Sequence, residues 1–433
     1  MQKKAFLALL LILCLALSGC TLVQKDEAVD AATEILRLGD QVITKGQIQS
    51  EVDYQLNYMA YYHSMFGYNY DPTSAESIAD ARNTVIETFK NELVSNAKIA
   101  ELGLDQLTEE EETKIKTDAE TAYQENLEYI ISSNYANSEL SEEEIRNKAI
   151  ADMDAMKYTM DTALENARHT LLEQKLRDYI IKDVTVSEDE VKAEYDSKVE
   201  EAKTDYTEDL SSYCSDVNGG TKAYYTPAGV RMVKQILLQY DEEHRTAITE
   251  ANSKVTAAQD IINDAEASEE DKAKALEDLT AAQAEVEAAT EAAYASIDAD
   301  ADAVIAELEA GADWDTLMAE KTQDPGMQEG RDTAKTGYAV CEGMTGFDSA
   351  FVDAAMALQN IGDVSPKTRG SSNGYYIIRY VGDSVEGAID YESVKAEIQA
   401  ELLSDKQDAK FDETLAGWVA EADIKTDLNA LNN

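Results

Sequence analysis

Histidine is nearly missing from this chain of 433 residues: His63, His169 and His244 are the only three. None stands at HExxH or similar spacing, which argues against a histidine-based zinc site. Positive charge is scarce too. The 37 lysines and arginines face 87 aspartates and glutamates, for a formal net charge of −50. Such a chain offers no basic patch to displace phosphate counterions, so nucleic acid is not expected as a partner. Anionic lipid headgroups would repel it, so its body should stand off a membrane surface. The plainer consequence of the charge is solubility. Cysteine occurs four times, at 14, 20, 214 and 341, with no CxxC and no Cys/His cluster. Cys214 and Cys341 are far apart in sequence; an oxidising compartment would permit a disulfide between them without demanding one. Beyond the first twenty residues no apolar run approaches the roughly 18 residues of a transmembrane helix.

What is present begins with an address. Lys3 and Lys4 precede an apolar run from Ala5 to Leu17, then Ser18, Gly19 and Cys20. This reads as a secretory signal peptide, too short and wrongly flanked for a membrane span. Leu17-Ser18-Gly19-Cys20 resembles the lipobox of bacterial lipoproteins. The resemblance implies cleavage after residue 19 and a diacylated Cys20 thiol; the alternative is an ordinary signal in which Cys20 is incidental. Two acyl chains suffice for stable anchoring. The protein is then expected on the outer face of the bacterial cell membrane, tethered to the bilayer through Cys20.

Residues 20–37 read as the lipidated tether. Around Gly39 two short strand pieces are expected, with Thr44 capping the helix that follows. Helical periodicity then runs to 205, in segments near 47–65, 76–102, 108–133, 141–182 and 187–203. Thr108, Ser141 and Ser187, each followed three residues later by Glu, predict capping boxes. Residues 206–228, with Gly219-Gly220 and Pro227, read as a linker. An apolar strand is expected at 230–239. Residues 241–298 lack Gly and Pro and carry two apolar stripes, which predicts an antiparallel helical hairpin; the alternative is a solvated charged helix with no partner role. Short helices and strands follow, including a strong strand at 374–381, then C-terminal helices at 390–404 and 407–421.

The stretch 229–382 resembles a parvulin-type peptidyl-prolyl isomerase domain. The words carrying this, in the family's order, are Val233 to Leu237, Ala310 to Trp314, Gln323-Asp324-Pro325-Gly326, Gly337-Tyr338, Phe351 to Leu358, Ile361 to Ser365 and Gly374 to Ile378. Residues 38–205 resemble the helical chaperone domain of extracytoplasmic foldases of the PrsA and SurA types, through Gly39 to Lys45, Glu101-Leu102-Gly103-Leu104 before the acidic run at 109–111, and Val184 to Val191 with Tyr195. The expected fold class is therefore α+β: a mainly helical N-terminal chaperone domain at 38–205, then a parvulin-like domain at 229–382, a four-stranded antiparallel sheet with helices, carrying the hairpin 241–298 as an insertion. Residues 383–433 would supply C-terminal helices.

The resemblance also places a site. Parvulin pockets commonly hold one His on the first strand, one on the last, and a Cys or Asp between them. The matching positions here are Gln235, Tyr376 and Asp324, with Ser371 where a hydroxyl is usual and Met344 and Phe351 as the apolar cup for proline. Both family histidines are replaced. Gln and Tyr still form hydrogen bonds but offer no imidazole tautomers. No cofactor is implied, because the reaction only needs the twisted amide favoured over the planar one. The alternative makes Asp324 a turn cap and Met344 and Phe351 plain core. A second candidate surface is the segment Tyr54, Tyr58, Met59, Tyr61, Tyr62, Met65, Phe66, Tyr68 and Tyr70, whose amphipathic rings suit an unfolded client; here the alternative is helical core and loop. Two functions stand open: a membrane-anchored foldase that binds unfolded exported chains and isomerises Xaa-Pro bonds, and a non-catalytic holdase with a degenerate parvulin domain. A solute-binding lipoprotein is disfavoured, since paired α/β lobes are missing.

Overall fold

The computed structural model describes residues 27–371 and 374–432. The expected signal peptide and Cys20 lie outside the described residues. The chain gathers into two units: one of residues up to Thr185 together with Leu402 onward, the other from Val186 to Glu401.

The first unit is mostly helical. Its elements are α1 (Glu27–Ala31), β1 (Glu34–Leu38), β2 (Gln41–Thr44), α2 (Lys45–Met65), α3 (Ala75–Glu101), α4 (Glu109–Tyr135), α5 (Glu142–Ala155) and α6 (Met160–Ile181). β1 and β2 form an antiparallel hairpin that turns at Gly39, whose φ of +60° suits glycine. A late strand, Lys425–Thr426, pairs with the free edge of β1. Ile35, Leu36, Ile43, Ile48, Val52, Val85 and Leu93 make one core, and Leu431 joins it. The tether expected over 20–37 does not reach 37: Ile35 and Leu36 are fully buried strand residues. Capping boxes start α2 at Thr44/Gln47, α4 at Thr108/Glu111 and α5 at Ser141/Glu144. The single helical segment expected at 141–182 breaks between α5 and α6, where Lys157 takes a φ of +59° and Thr159 caps the next helix.

The second unit holds α7 (Glu188–Glu208), α8 (Leu210–Asn218), β3 (Tyr225–Thr226), β4 (Arg231–Gln239), α9 (Glu242–Asn263), α10 (Glu269–Glu309), α11 (Trp314–Lys321), α12 (Asp332–Thr336), β5 (Tyr338–Val340), α13 (Ser349–Ala357), β6 (Thr368–Arg369), β7 (Gly374–Asp383) and β8 (Gly387–Ala388). α14 (Tyr391–Glu421) begins here and carries the chain back to the first unit. An antiparallel four-stranded sheet runs β5-β4-β7-β6, and the fold class is α+β. Among the described residues no helix is long and apolar enough to cross a membrane.

Three expectations need correction in this unit. The stretch 206–228 is no free linker. It contains α8, whose Tyr213 and Cys214 are buried in the core around the sheet. Asp209 caps α8 through the Ser211 and Ser212 N–H groups, and the Asn218 amide bonds both N–H and C=O of Ala339, each at 2.8 Å. α7 clusters with this unit and not with the preceding helices, because Tyr195 is buried and its hydroxyl donates to the Ile389 carbonyl at 2.6 Å. The two C-terminal helices are one, since nothing from 391 to 416 is Gly or Pro.

α9 and α10 form the hairpin, with Ala251, Ala258, Ala275 and Ala282 buried. α10 runs past 298 to Glu309, and the chain turns only at Gly311, with φ +92°. Its last turns bury Ala293, Tyr294, Ile297, Ala301 and Val304 in the sheet's core. The Tyr294 ring meets Tyr375 of β7 edge-on at 5.1 Å.

Candidate functional site

In antiparallel pairing directly opposed residues share a face. β4 and β7 pair Gln235 with Ile378 and Leu237 with Tyr376. Gln235 and Tyr376 therefore lie diagonally on one face, and β5 adds Tyr338 opposite Val233. The segment after α11 is laid against the stretch of β4 that β5 leaves unpaired beyond Val233: Leu237 N–H donates to Thr322 Oγ1 at 3.2 Å, and Gln323 N–H to the Leu237 carbonyl at 2.8 Å. This delivers Asp324 to Gln235.

Two polar groups result. In the first, Asp324 accepts from Gln235 Nε2 at 2.7 Å, from Gly326 N–H at 2.9 Å and from the Tyr338 hydroxyl at 3.1 and 3.2 Å. It thereby caps the short 3-10 turn Pro325–Met327. Burial and the neighbouring Asp324 charge push the Tyr338 hydroxyl pKa far up, so it stays a donor. Gln235 Oε1 is buried and accepts no hydrogen bond, a cost of about 1–3 kcal/mol.

In the second group Asp348 caps α13 through Ala350 N–H at 3.0 Å. It also accepts from Ser371 N–H at 2.5 Å, Ser371 Oγ at 2.6 Å and the Tyr376 hydroxyl at 3.3 Å. Burial works to raise the Asp348 carboxyl pKa, but the bonds from Ser371, Ala350 and Tyr376 together outweigh it and hold it below the ordinary range. Its contribution to stability is thus present at neutral pH and lost as pH falls through that depressed value.

Phe351 joins the two groups. Its ring meets Tyr376 at 5.6 Å and Tyr338 at 6.5 Å, both edge-on, and stacks on Phe347 at 5.5 Å. The fold thus brings Gln235, Asp324, Tyr376, Ser371 and Phe351 into one neighbourhood, and Met344 follows β5 on a turn in the same core. The cup is filled. Phe351 is 1% exposed, Gln235, Tyr376 and Met344 5–6%, and Asp324 7%; Ser371 alone of the six is exposed. Both Asp324 oxygens are engaged internally, so the arrangement serves as a hydrogen-bonded core more readily than as a proton-transfer site. Sequence reasoning missed Tyr338, Phe347 and Asp348. Asp348 did carry a signal, an Asp just ahead of a helical run. Among the described residues no group of three His, Cys, Asp or Glu side chains stands ready for a metal.

One substitution probes how tight this packing is. A Cβ on Gly326 would sit 1.7 Å from the Tyr338 hydroxyl. Gly326→Ala should drive Tyr338 off Asp324 and cost about 1–3 kcal/mol in a urea melt. An unchanged midpoint would mean that the Tyr338–Asp324 bond holds nothing.

The first unit carries a different feature. Ile48, Val52 and Leu56 bury one face of α2, while the tyrosines line the other. Tyr54, Tyr58 and Tyr62 follow at four-residue steps with successive rings 6.4 Å apart, and Phe66 continues the row 5.0 Å beyond Tyr62. These four are 47–65% exposed, and Tyr61, Met65 and Tyr68 are 60–67% exposed beside them. Of the segment, Tyr70 packs against the core and stacks on the His63 ring at 5.1 Å.

No protein-family model matches the chain. The foldase protein PrsA of Clostridium perfringens strain ATCC 13124 is 27% identical over 197 residues, which are 45% of this chain and 51% of the relative. PrsA of strain 13 gives the same figures. The chain thus spans about half the length of the curated relatives it matches. Among solved structures, the study of the SurA-like chaperones PEB4 and Cj1289 of Campylobacter jejuni matches at 15% identity and a TM-score of 0.28, covering 70% of this chain and 95% of that one. The foldase protein PrsA of Streptococcus pneumoniae matches at 14% and 0.22, covering 93% and 98%. At such scores the superpositions add no argument to the fold described above. In sequence the chain is PrsA-like, as its motifs led one to expect.

Proposed function

We propose that this chain is a lipid-anchored, extracytoplasmic chaperone of the foldase type, which captures unfolded polypeptides newly arrived from export. The aromatic row on α2 carries the reading. A soluble helix that leaves Tyr54, Tyr58, Tyr62 and Phe66 to solvent forgoes their burial, and contiguous exposed rings mark an interaction surface. Tyrosine offers broad, amphipathic contact at low entropy cost, and Met65 beside them adapts to varied side chains. The lipobox-like motif ending at Cys20 supports the anchor, and the foldase name of the curated relatives supports the activity.

On this reading the parvulin-like unit is a docking or spacing module and not a strong isomerase. Its cup is occupied by its own side chains, and both positions of the family histidines are taken by Gln235 and Tyr376. The unpartnered Gln235 Oε1 is itself enclosed and offers a client amide no acceptor in this arrangement.

Two assays decide. Diluting a denatured client into the protein should give suppressed aggregation at near-stoichiometric ratios; unhindered aggregation overturns the chaperone reading. A protease-free isomerisation assay on an Xaa-Pro peptide should show no acceleration. An acceleration that disappears in Asp324→Ala, with the fold kept, would make the unit an isomerase instead.

A further inference from the structure

Cys214 and Cys341 are the only cysteines among the described residues, and both are completely buried. Far apart in sequence, they meet in the core of the second unit, each thiol within hydrogen-bonding reach of the other. Cys214 sits near the middle of α8, and Cys341 immediately follows β5. Bonds on both sides hold these two segments together. The Asn218 amide grips both backbone groups of Ala339 at 2.8 Å, and Ser211 Oγ accepts from Thr345 N–H at 3.0 Å. The surroundings are apolar, with Tyr213, Val340 and Met344 in the same cluster, and among the described residues no metal-binding group includes either thiol.

We propose that Cys214 and Cys341 are a redox pair that closes into a structural disulfide as the chain folds, fastening α8 to the end of β5. The timing follows from access. Burial pushes both thiols up in pKa, and for Cys214 the adjacent Cys341 thiol adds to the effect. In the finished core thiolate is therefore rare and exchange slow. The bond forms earlier, while the segments are open. A small-molecule or protein disulfide is the oxidant: one cysteine thiolate attacks it and expels a thiolate, and the second cysteine thiolate attacks the mixed disulfide and expels the other. The two cysteine protons pass to the two released thiolates. Once formed, the bond is enclosed and protected from reductants. It also closes a long loop, running from 214 to 341 and enclosing the whole α9–α10 hairpin, the kind of loop whose closure most restricts the unfolded chain.

Pairing in the purified protein does not depend on the proposed location outside the cytoplasm; only its occurrence in the cell does. The test uses the full chain carrying Cys14→Ser and Cys20→Ser, reduced and unfolded in guanidinium and refolded in mixed oxidised and reduced glutathione with a mild detergent present. Both remaining thiols should vanish from titration without dimer formation, the mass should fall by two hydrogens, and digestion should yield one linked peptide pair containing residues 214 and 341. The melting midpoint of the unit should rise by roughly 5–15 °C over the reduced form. The same chain with Cys341→Ala in addition should show no such rise on oxidation. Native-like refolding that leaves both thiols free, or each carrying glutathione, overturns the pairing, as does a linked form that melts below the reduced one. Alkylating thiols in living cells before lysis then reads the compartment separately: a pair that links in the tube yet is free in the cell refutes the location and not the geometry.

Discussion

Phe351→Ala should destabilise the sheet-bearing unit by about 3–5 kcal/mol, the range for deleting a buried aromatic ring from a core that cannot fully collapse. The ring is 1% exposed and touches Tyr338, Phe347 and Tyr376. Its loss does more than open a cavity. Tyr338 and Tyr376 are the hydroxyl donors to Asp324 and Asp348, and their ring positions are set by Phe351. Both hydrogen-bonded groups should loosen together, so the urea midpoint drops and the near-ultraviolet dichroism of the tyrosines flattens before global unfolding. Phe351→Leu keeps most of the volume and should recover more than half of the loss. A cost below about 1 kcal/mol for the alanine variant would mean that the ring lines an open cup after all.

The second large effect concerns binding. Replacing Tyr54, Tyr58, Tyr62 and Phe66 together by Ser should weaken capture of an unfolded client about 30-fold or more, taking roughly 0.5–1.5 kcal/mol for each aromatic contact and allowing for incomplete additivity. Stability should hardly move. The four rings are already about half exposed or more, and Ser and Tyr differ little in helix propensity. The measurement pairs a thermal melt with client affinity by fluorescence anisotropy. Unchanged affinity with an unchanged melt would remove the α2 row as the client surface. A comparable substitution of Ile48 and Val52, on the buried face, should instead unfold the unit.

Local chemistry was easiest to read in the sequence. Thr108, Ser141 and Ser187 cap their helices as their Glu partners three residues on imply, because a capping box is a contact within four residues. The two long strands were legible as well, expected at 230–239 and 374–381 and found as β4 and β7. Long-range packing was harder. α8 looked like linker because Gly219-Gly220 and Pro227 lie nearby; what makes it core is the grip of Asn218 on Ala339, a contact no periodicity announces. The exposed tyrosines could equally have been core, since ring character is the same either way and only the opposite face, Ile48, Val52 and Leu56, settles which side turns inward. At the candidate site the residue types were legible, and the turn-cap alternative for Asp324 with them, but not its bonds from Gln235 and Tyr338, which are set by sheet packing.

The strand Lys425–Thr426 and Leu431 belong to the core of β1 and β2, although nearly the entire sequence separates them. A chain delivered from its first residue onward therefore supplies this piece of its first unit late. Until Leu431 is available, β1 has a bare edge and its helices an unfinished floor, while residues 186–401, a compact unit of their own, are already present. Such high sequence separation slows assembly. It also orders it: the middle of the chain can close before its beginning, and the aromatic row on α2 gains its finished support only once Leu431 is in place.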